Sequence, residues 1–254
     1  MTKENKEITL EELKKHNSKD DAWIAVDDIV YDVTNFAKRH PGGEKLMLFF
    51  AGQDASDPFY SFHIRPEFSF KIMKKLKVGT FIGSKDNTEN DSPMLRDFRK
   101  LRKDLKDEGY FQAKISFFMA WFAHVVFMEL LAIYIAYATE GSNNGWWACV
   151  ALLCIAQIQA GWLQHDFGHL AVFKTIKTND FWHKLTIMHL KGASAQWWKT
   201  RHNRHHAKTN VLKADPDVDN DPLFLFGEEM SKYRKGWQFT RYQHLYWWLI
   251  GPPL

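Results

Sequence analysis

Sulfur chemistry is nearly missing from this chain. Its 254 residues include two cysteines, Cys149 and Cys154, both inside an apolar run. They are expected to be packing residues and leave no disulfide framework. Dense Lys/Arg tracts are missing too. The net charge of +4 fits a cytosolic membrane surface and gives no reason to expect nucleic acid as a partner. No phosphate-cradling glycine loop and no activated nucleophile stand out, so phosphoryl transfer and hydrolysis have no support. No basic-then-apolar stretch opens the chain, and membrane entry is expected from internal segments. No internal repeat is visible.

What is present changes character near residue 114. The first part is polar, and the second holds long apolar runs and most of the 11 tryptophans. We divide the chain into 1–83, a small folded domain; 84–114, a linker and amphipathic helix; and 115–254, a membrane-associated region. Residues 84–93 are polar and turn-rich, as a flexible linker is. Met94, Leu95, Phe98, Leu101 and Leu105 then recur at helical spacing, which predicts a helix lying on the membrane face.

In the first domain Thr9-Leu-Glu-Glu12 reads as a capping box. Residues 23–26 and 29–33 read as strands, and Thr34 as the N-cap of a helix over 35–39. His40-Pro41-Gly42-Gly43 stops that helix and lets the backbone approach something flat. A second histidine, His63, follows Phe59-Tyr-Ser-Phe62. Between them lie the apolar stretch Leu46–Phe50 and Ala51-Gly-Gln-Asp-Ala55. This arrangement resembles cytochrome b5 domains. The resemblance implies that His40 and His63 are the axial ligands of one haem b, with ligation and pocket polarity setting its potential.

The region beyond residue 114 carries two candidate spans, about 115–138 and 146–164, with a third starting near 247. Roughly 20 apolar residues cross a bilayer, so the second run is marginal unless it continues helically into His165. The connector 139–145 has no Lys or Arg, whereas both flanks are rich in them. The positive-inside rule then puts the connector in the lumen and both flanks in the cytosol. Mid-span His124 and Glu129 are expected to face the bundle, because a charge there is costly unless paired or neutral.

Five of the 12 histidines form two spaced groups. His165 and His169 are four apart; His202, His205 and His206 follow an i, i+3, i+4 pattern. On helices each group presents its imidazoles on one face. Imidazoles without thiolates suit iron, copper, zinc or nickel. Trp197 and Trp198 are read as interfacial anchors in preference to acyl-channel walls. His189 is read as a packed core histidine. Asp215, Asp217, Asp219 and Asp221 alternate in a proline-containing loop without the glycine and glutamate of a calcium loop, so turn and cap roles are expected. His183 and His244 carry no assignment.

His165-Asp-Phe-Gly-His169 and His202-Asn-Arg-His205-His206 resemble the first two histidine boxes of membrane fatty acid desaturases. Gln159–His165, His189–Ala195 and Ala214–Val218 sharpen the likeness to animal front-end desaturases of the Δ6/Δ5 type with a fused cytochrome b5 domain. The implied fold is an α+β cytochrome b5-like domain followed by an incomplete all-α membrane desaturase domain. The implied activity is O2-dependent insertion of a double bond into a polyunsaturated fatty acyl chain, with electrons from the fused haem. The chemistry needs two irons and two external electrons, and the protein supplies ligands, a dry cavity and the electron route.

Further implications are cytochrome b5 reductase as donor, an acyl-CoA or phospholipid-linked substrate, and a multi-pass endoplasmic reticulum location with haem domain and boxes cytosolic. The family's third box, Gln-x-x-His-His, is absent up to Leu254. The sequence is therefore expected to be a C-terminally truncated piece, inactive by itself, with the remaining di-iron ligands beyond residue 254. Two other readings stay open: a lipid hydroxylase of the same histidine-box superfamily, and a membrane-tethered electron carrier without catalysis.

Overall fold

A computed structural model describes residues 6–63, 66–83, 92–220, 222–233 and 238–250. The first part is an α+β unit. Strands β1 (Glu7–Ile8), β2 (Asn17–Ser18), β3 (Asp21–Val26), β4 (Ile29–Asp32) and β6 (Lys77–Phe81) lie in the order β1-β6-β4-β3-β2, and β5 (Gln53–Asp54) pairs with β3. β3 and β4 form a hairpin in which Val26 faces Ile29. Its turn needs a left-handed residue, and Asp27 takes it at φ 53°, as short polar side chains can. Asp27 is held there by two hydrogen bonds: its carboxylate accepts from the Tyr60 hydroxyl at 2.9 Å, and its N–H donates to Ser56 Oγ.

The two faces of the sheet separate by strand alternation. Ala22, Ile24, Val26, Tyr31 and Val33 face one core with Ala51, Ala55, Phe59 and Met73. Ala25 and Val30 face the other with Ile8, Leu13 and Phe81. The first core is covered by helices α2 (Thr34–Ala37), α3 (Glu44–Leu48), α4 (Ser56–Phe62) and α5 (Pro66–Met73). The second is covered by α1 (Leu10–Lys15), whose N-cap Thr9 accepts from Glu12 N–H as its sequence predicts. Thr34 differs from its predicted capping role. It is the first helical residue, and its hydroxyl is occupied by Asp32 and by the Ala22 backbone.

The second part is helical. Its elements are α6 (Pro93–Asp107), α7 (Ile115–Ala138), α8 (Asn143–Gly168), α9 (Ile176–Lys184), a π-helical stretch Leu185–Leu190, α10 (Ala195–Ala207), α11 (Gly227–Tyr233) and α12 (Gln243–Ile250). The predicted third span falls on α12 and on residues 251–254, which lie outside the described residues; so do most of the predicted linker and Asp221. α7 and α8, 24 and 26 residues long, are about 36 and 39 Å at 1.5 Å per residue. Each exceeds a hydrocarbon core of about 30 Å. α8 runs unbroken through His165, so the short apolar run is extended by the histidine segment.

α7 and α8 pair through small side chains. Val125 and Met128 meet Ala156 and Ala160, and Cys149 donates its thiol to the Ala132 carbonyl at 2.9 Å. Small residues let membrane helices approach closely. The outer faces are apolar and uncovered: Phe127, Leu130, Ile133, Leu153, Ile155 and Ile158 are all exposed. Water does not tolerate such a surface around both helices, and lipid does. Glu129 is half-buried, but His124 points away from the pair, contrary to the bundle-facing position expected of it.

At the turn, a Cβ on Gly145 would collide with the Thr139 side chain. Gly145→Leu should therefore wedge the two helices apart at a cost of about 1–3 kcal/mol. The measurement is the unfolding temperature in detergent micelles. It should fall in Gly145→Leu and recover partly when Thr139→Gly is added.

Candidate functional site

Two clusters of imidazoles dominate the molecule. In the α+β unit, His40 follows α2 and His63 caps α4. Their ring centroids lie 6.1 Å apart. Two imidazoles bound at about 2.0 Å on opposite sides of one iron would be separated by about 6 Å, so the gap fits one metal-centred flat group. His63 Nδ1 lies 2.9 Å from the Phe59 carbonyl, which makes Nδ1 the N–H donor and leaves Nε2 with the lone pair. His40 Nδ1 is buried without a hydrogen-bond partner. Burial lowers both pKa values, with His63 adding to the effect at His40, and each ring is neutral at pH 7. Gly42 is needed here, because a Cβ would come within 2.9 Å of both His40 Cε1 and Leu46 Cδ2.

The second cluster joins the end of α8 to α10. His165 sits in the last turn of α8 and His169 is its C-cap; Leu170 at φ 61° then reverses the chain. Nε2 of His169 is 3.2 Å from Nε2 of His165 and 3.0 Å from Nε2 of His202. His202 Nε2 is 3.0 Å from those of both His165 and His206. These four are within metal-binding reach of one another. A separation of about 3 Å is that of two imidazole nitrogens bound side by side to one ion at about 2.1 Å. Burial, reinforced by neighbouring imidazoles, pushes His169 down to about 4 and His202 to about 3. Neutral rings with converging lone pairs are what a metal ion requires.

His205 stands apart from the four. Its Nδ1 turns to Asp215 at 2.9 Å. Burial alone would raise the Asp215 pKa, yet the Asp217 and Asn210 N–H groups and His205 hold it below the usual carboxylate range. Arg201 reaches the same loop, at 3.0 Å from Asp217 and 2.7 Å from the Pro216 carbonyl. The aspartates are thus more than turn formers.

Trp198 packs beneath the cluster. It stacks on His202 at 4.4 Å and 25°, and on its other side meets His183 at 5.2 Å. His183 is fully buried and pairs through Nε2 with Gln164 Oε1 at 2.9 Å. Gly168 allows this packing, since a Cβ there would meet Trp198 Cη2 at 2.9 Å. Asn179, also buried, ties the 172–175 loop to α9 with four hydrogen bonds. His183 and Asn179 carried no functional reading in the sequence, and Gln164 entered it only as part of the Gln159–His165 stretch. His189, read as a core histidine, is exposed on the π-helical stretch, and His183 takes the buried position. Trp197 is exposed and Trp198 half-buried.

Beside the cluster opens a cavity of about 960 Å³, with Trp162, His165, Trp198, His202, Phe224 and Trp247 among its walls. Aromatic walls with imidazoles at one side suit a long apolar molecule. The α+β unit rests against this region. Arg99 of α6 forks onto Asp57 of α4 at 2.6 and 3.1 Å, Arg102 lies over Tyr60, and Lys208, two residues after His206, lies over Phe50 at 5.1 Å.

Fold and site together define a membrane-associated protein in which an α+β unit with two facing imidazoles is joined to a helical region bearing a histidine cluster. Residues 9–82 match the family described as cytochrome b5-like haem/steroid binding domain, and residues 144–254 match the fatty acid desaturase family. The cytochrome b5 of Ostreococcus tauri virus 2 is 37% identical over 29% of this chain and 92% of its own, with a TM-score of 0.27. Cytochrome b558 of Ectothiorhodospira vacuolata, described as a prokaryotic homologue of cytochrome b5, is 28% identical over 30% and 96%, with a TM-score of 0.28. The chain carries a cytochrome b5-like domain followed by a fatty acid desaturase domain. The first implies haem binding and the second implies iron.

His40→Ala or His63→Ala should abolish the haem Soret band while membrane insertion persists, and Gly42→Val should weaken haem retention by displacing His40. Absorbance of the purified variants checks this. An unchanged band in both histidine variants would contradict the pairing.

Proposed function

We propose that this protein is a front-end fatty acyl desaturase, inserting a double bond between an existing one and the carboxyl end of a polyunsaturated chain. The observation that carries the reading is the convergence of four imidazole nitrogens at the wall of an aromatic cavity, at the end of an apolar helix. In this reading His165, His169, His202, His205 and His206 contribute to a di-iron site, and His40 and His63 hold haem b. Iron held by these residues would supply, with O2, the oxidant for an unactivated C–H bond; two ions would need ligands besides these five imidazoles.

The chain's own residues do the rest. Burial pushes the pKa values of His169, His202 and His206 down, so metal ligation needs little proton release from these three. Trp162, Phe224 and Trp247 exclude water from the acyl chain and orient it along the cavity. Arg99 and Lys208 keep the haem domain close to the second box, which raises its effective concentration as an electron source. Exposed Met94, Phe98 and Leu101 on α6 support a helix lying on the membrane. Lys and Arg flanking the spans support a cytosolic site in the endoplasmic reticulum, served by cytochrome b5 reductase, with an acyl-CoA or phospholipid-linked substrate.

The test is expression of the full gene product in yeast supplied with diunsaturated and triunsaturated acyl chains. The expected product is two hydrogens lighter, with the new double bond on the carboxyl side of those present. A hydroxylated product would assign the protein to the hydroxylases, and haem reduction with no acyl product would leave an electron carrier.

A further inference from the structure

The loop after the second box holds a carboxylate that the desaturase reading does not use. Asp215 is wholly buried. Its Oδ1 accepts from the Asp217 N–H at 2.8 Å and lies 3.1 Å from His205 Nδ1. Its Oδ2 accepts from the Asn210 N–H at 2.7 Å and lies 2.9 Å from the same Nδ1. His205, Asp215 and Asp217 have the types and spacing of a cation site. Their oxygens are already engaged. Three donors point at Asp215, with the His205 N–H shared between its two oxygens, and Asp217 Oδ1 is taken by Arg201 Nε. The group is a clamp on the histidine.

The clamp has a chemical consequence. An ionised carboxylate accepts and never donates, so the proton of His205 sits on Nδ1 and the lone pair on Nε2. The loop is itself anchored to α10, by Arg201 on the Pro216 carbonyl at 2.7 Å and Arg204 on the Ala214 carbonyl at 3.3 Å. The carboxylate is therefore fixed relative to the helix that carries His202 and His206.

We propose that Asp215 is the positioning residue of the second box: it locks His205 as the Nδ1–H tautomer, so that Nε2 is the nitrogen offered to a metal ion. This role rests on the reading of the boxes as metal-binding. Partners of this kind fix ring orientation and raise ligand basicity, and their loss weakens metal binding about 10–100-fold.

Two measurements test it on the whole chain in detergent micelles. The first uses metal-free protein with 15N-labelled imidazoles, the His205 signals being assigned by their loss in His205→Gln. Long-range proton–nitrogen correlations should show a protonated Nδ1 and a bare Nε2. A wild-type His205 protonated on Nε2 overturns the proposal, and this reading needs no variant at Asp215 to fold. The second is titration with Co(II). Asp215→Asn should bind about 10–100-fold more weakly, Asp215→Glu should recover part of the loss, and the haem band should be unchanged. If His202→Ala weakens Co(II) binding and Asp215→Asn does not, the role of Asp215 falls while the metal reading stands. If neither variant weakens it, both fall.

Discussion

The structure depends on bringing four imidazole nitrogens to one point from two helices distant in sequence. Neutral imidazoles do not seek one another; their lone pairs repel when three nitrogens stand about 3 Å apart. The convergence must be imposed by the surroundings. On the α8 side, the helix end is fixed by the reversal at Leu170 and by Asn179, whose four hydrogen bonds leave the following loop one conformation. On the α10 side, Ser194 caps the helix start by accepting from Trp197 N–H, and the aspartate loop grips its far end. Trp198 fills the space between, supported by His183 and Gln164. Packing and saturated hydrogen bonds hold a ligand set in place before a ligand arrives, which is the condition for tight metal binding.

The haem-type unit solves a similar problem with other means. Its two histidines are presented by short helices that have little stability of their own. Their positions come from a sheet with a core on each face. Phe59 joins the core and stacks on His63 at 4.5 Å, while Phe36 meets His40 edge-on at 6.0 Å. The missing Cβ at Gly42 gives His40 its place. The buried His40 Nδ1 has no hydrogen-bond partner, a cost that the packing around it must offset.

Much of this was legible in the sequence, because it rests on local periodicity. The i, i+4 spacing of His165 with His169 and of His202 with His206 placed them on helix faces, and apolar length marked α7 and α8. The exceptions are informative. His205 obeys the same spacing yet turns to Asp215, since its neighbour across the loop is decided by a chain reversal that spacing does not encode. His189, expected in the core, faces outward on the π-helical stretch Leu185–Leu190, which changes which residues face inward, and the buried position falls to His183, which carried no assignment. His124 faces outward because the α7/α8 seam follows the small residues Ala132, Ala156 and Ala160, and polarity has no say in it.

α8 links these two levels. It passes from the turn at Thr139–Gly145, through the apolar stretch, to His165 without a break. A shift of one residue in its pairing with α7 would move the helix about 1.5 Å and turn each side chain about 100°. His165 would then leave the cluster. The register is held along the whole seam, from the close approach of Gly145 to Thr139 and the Cys149 thiol on the Ala132 carbonyl to Trp121 Nε1–H, which donates to Gln159 Oε1 at 3.2 Å. Contacts with no chemical role of their own therefore help decide whether the imidazoles meet, and the Cys149 thiol, expected only to pack, is one of the pins.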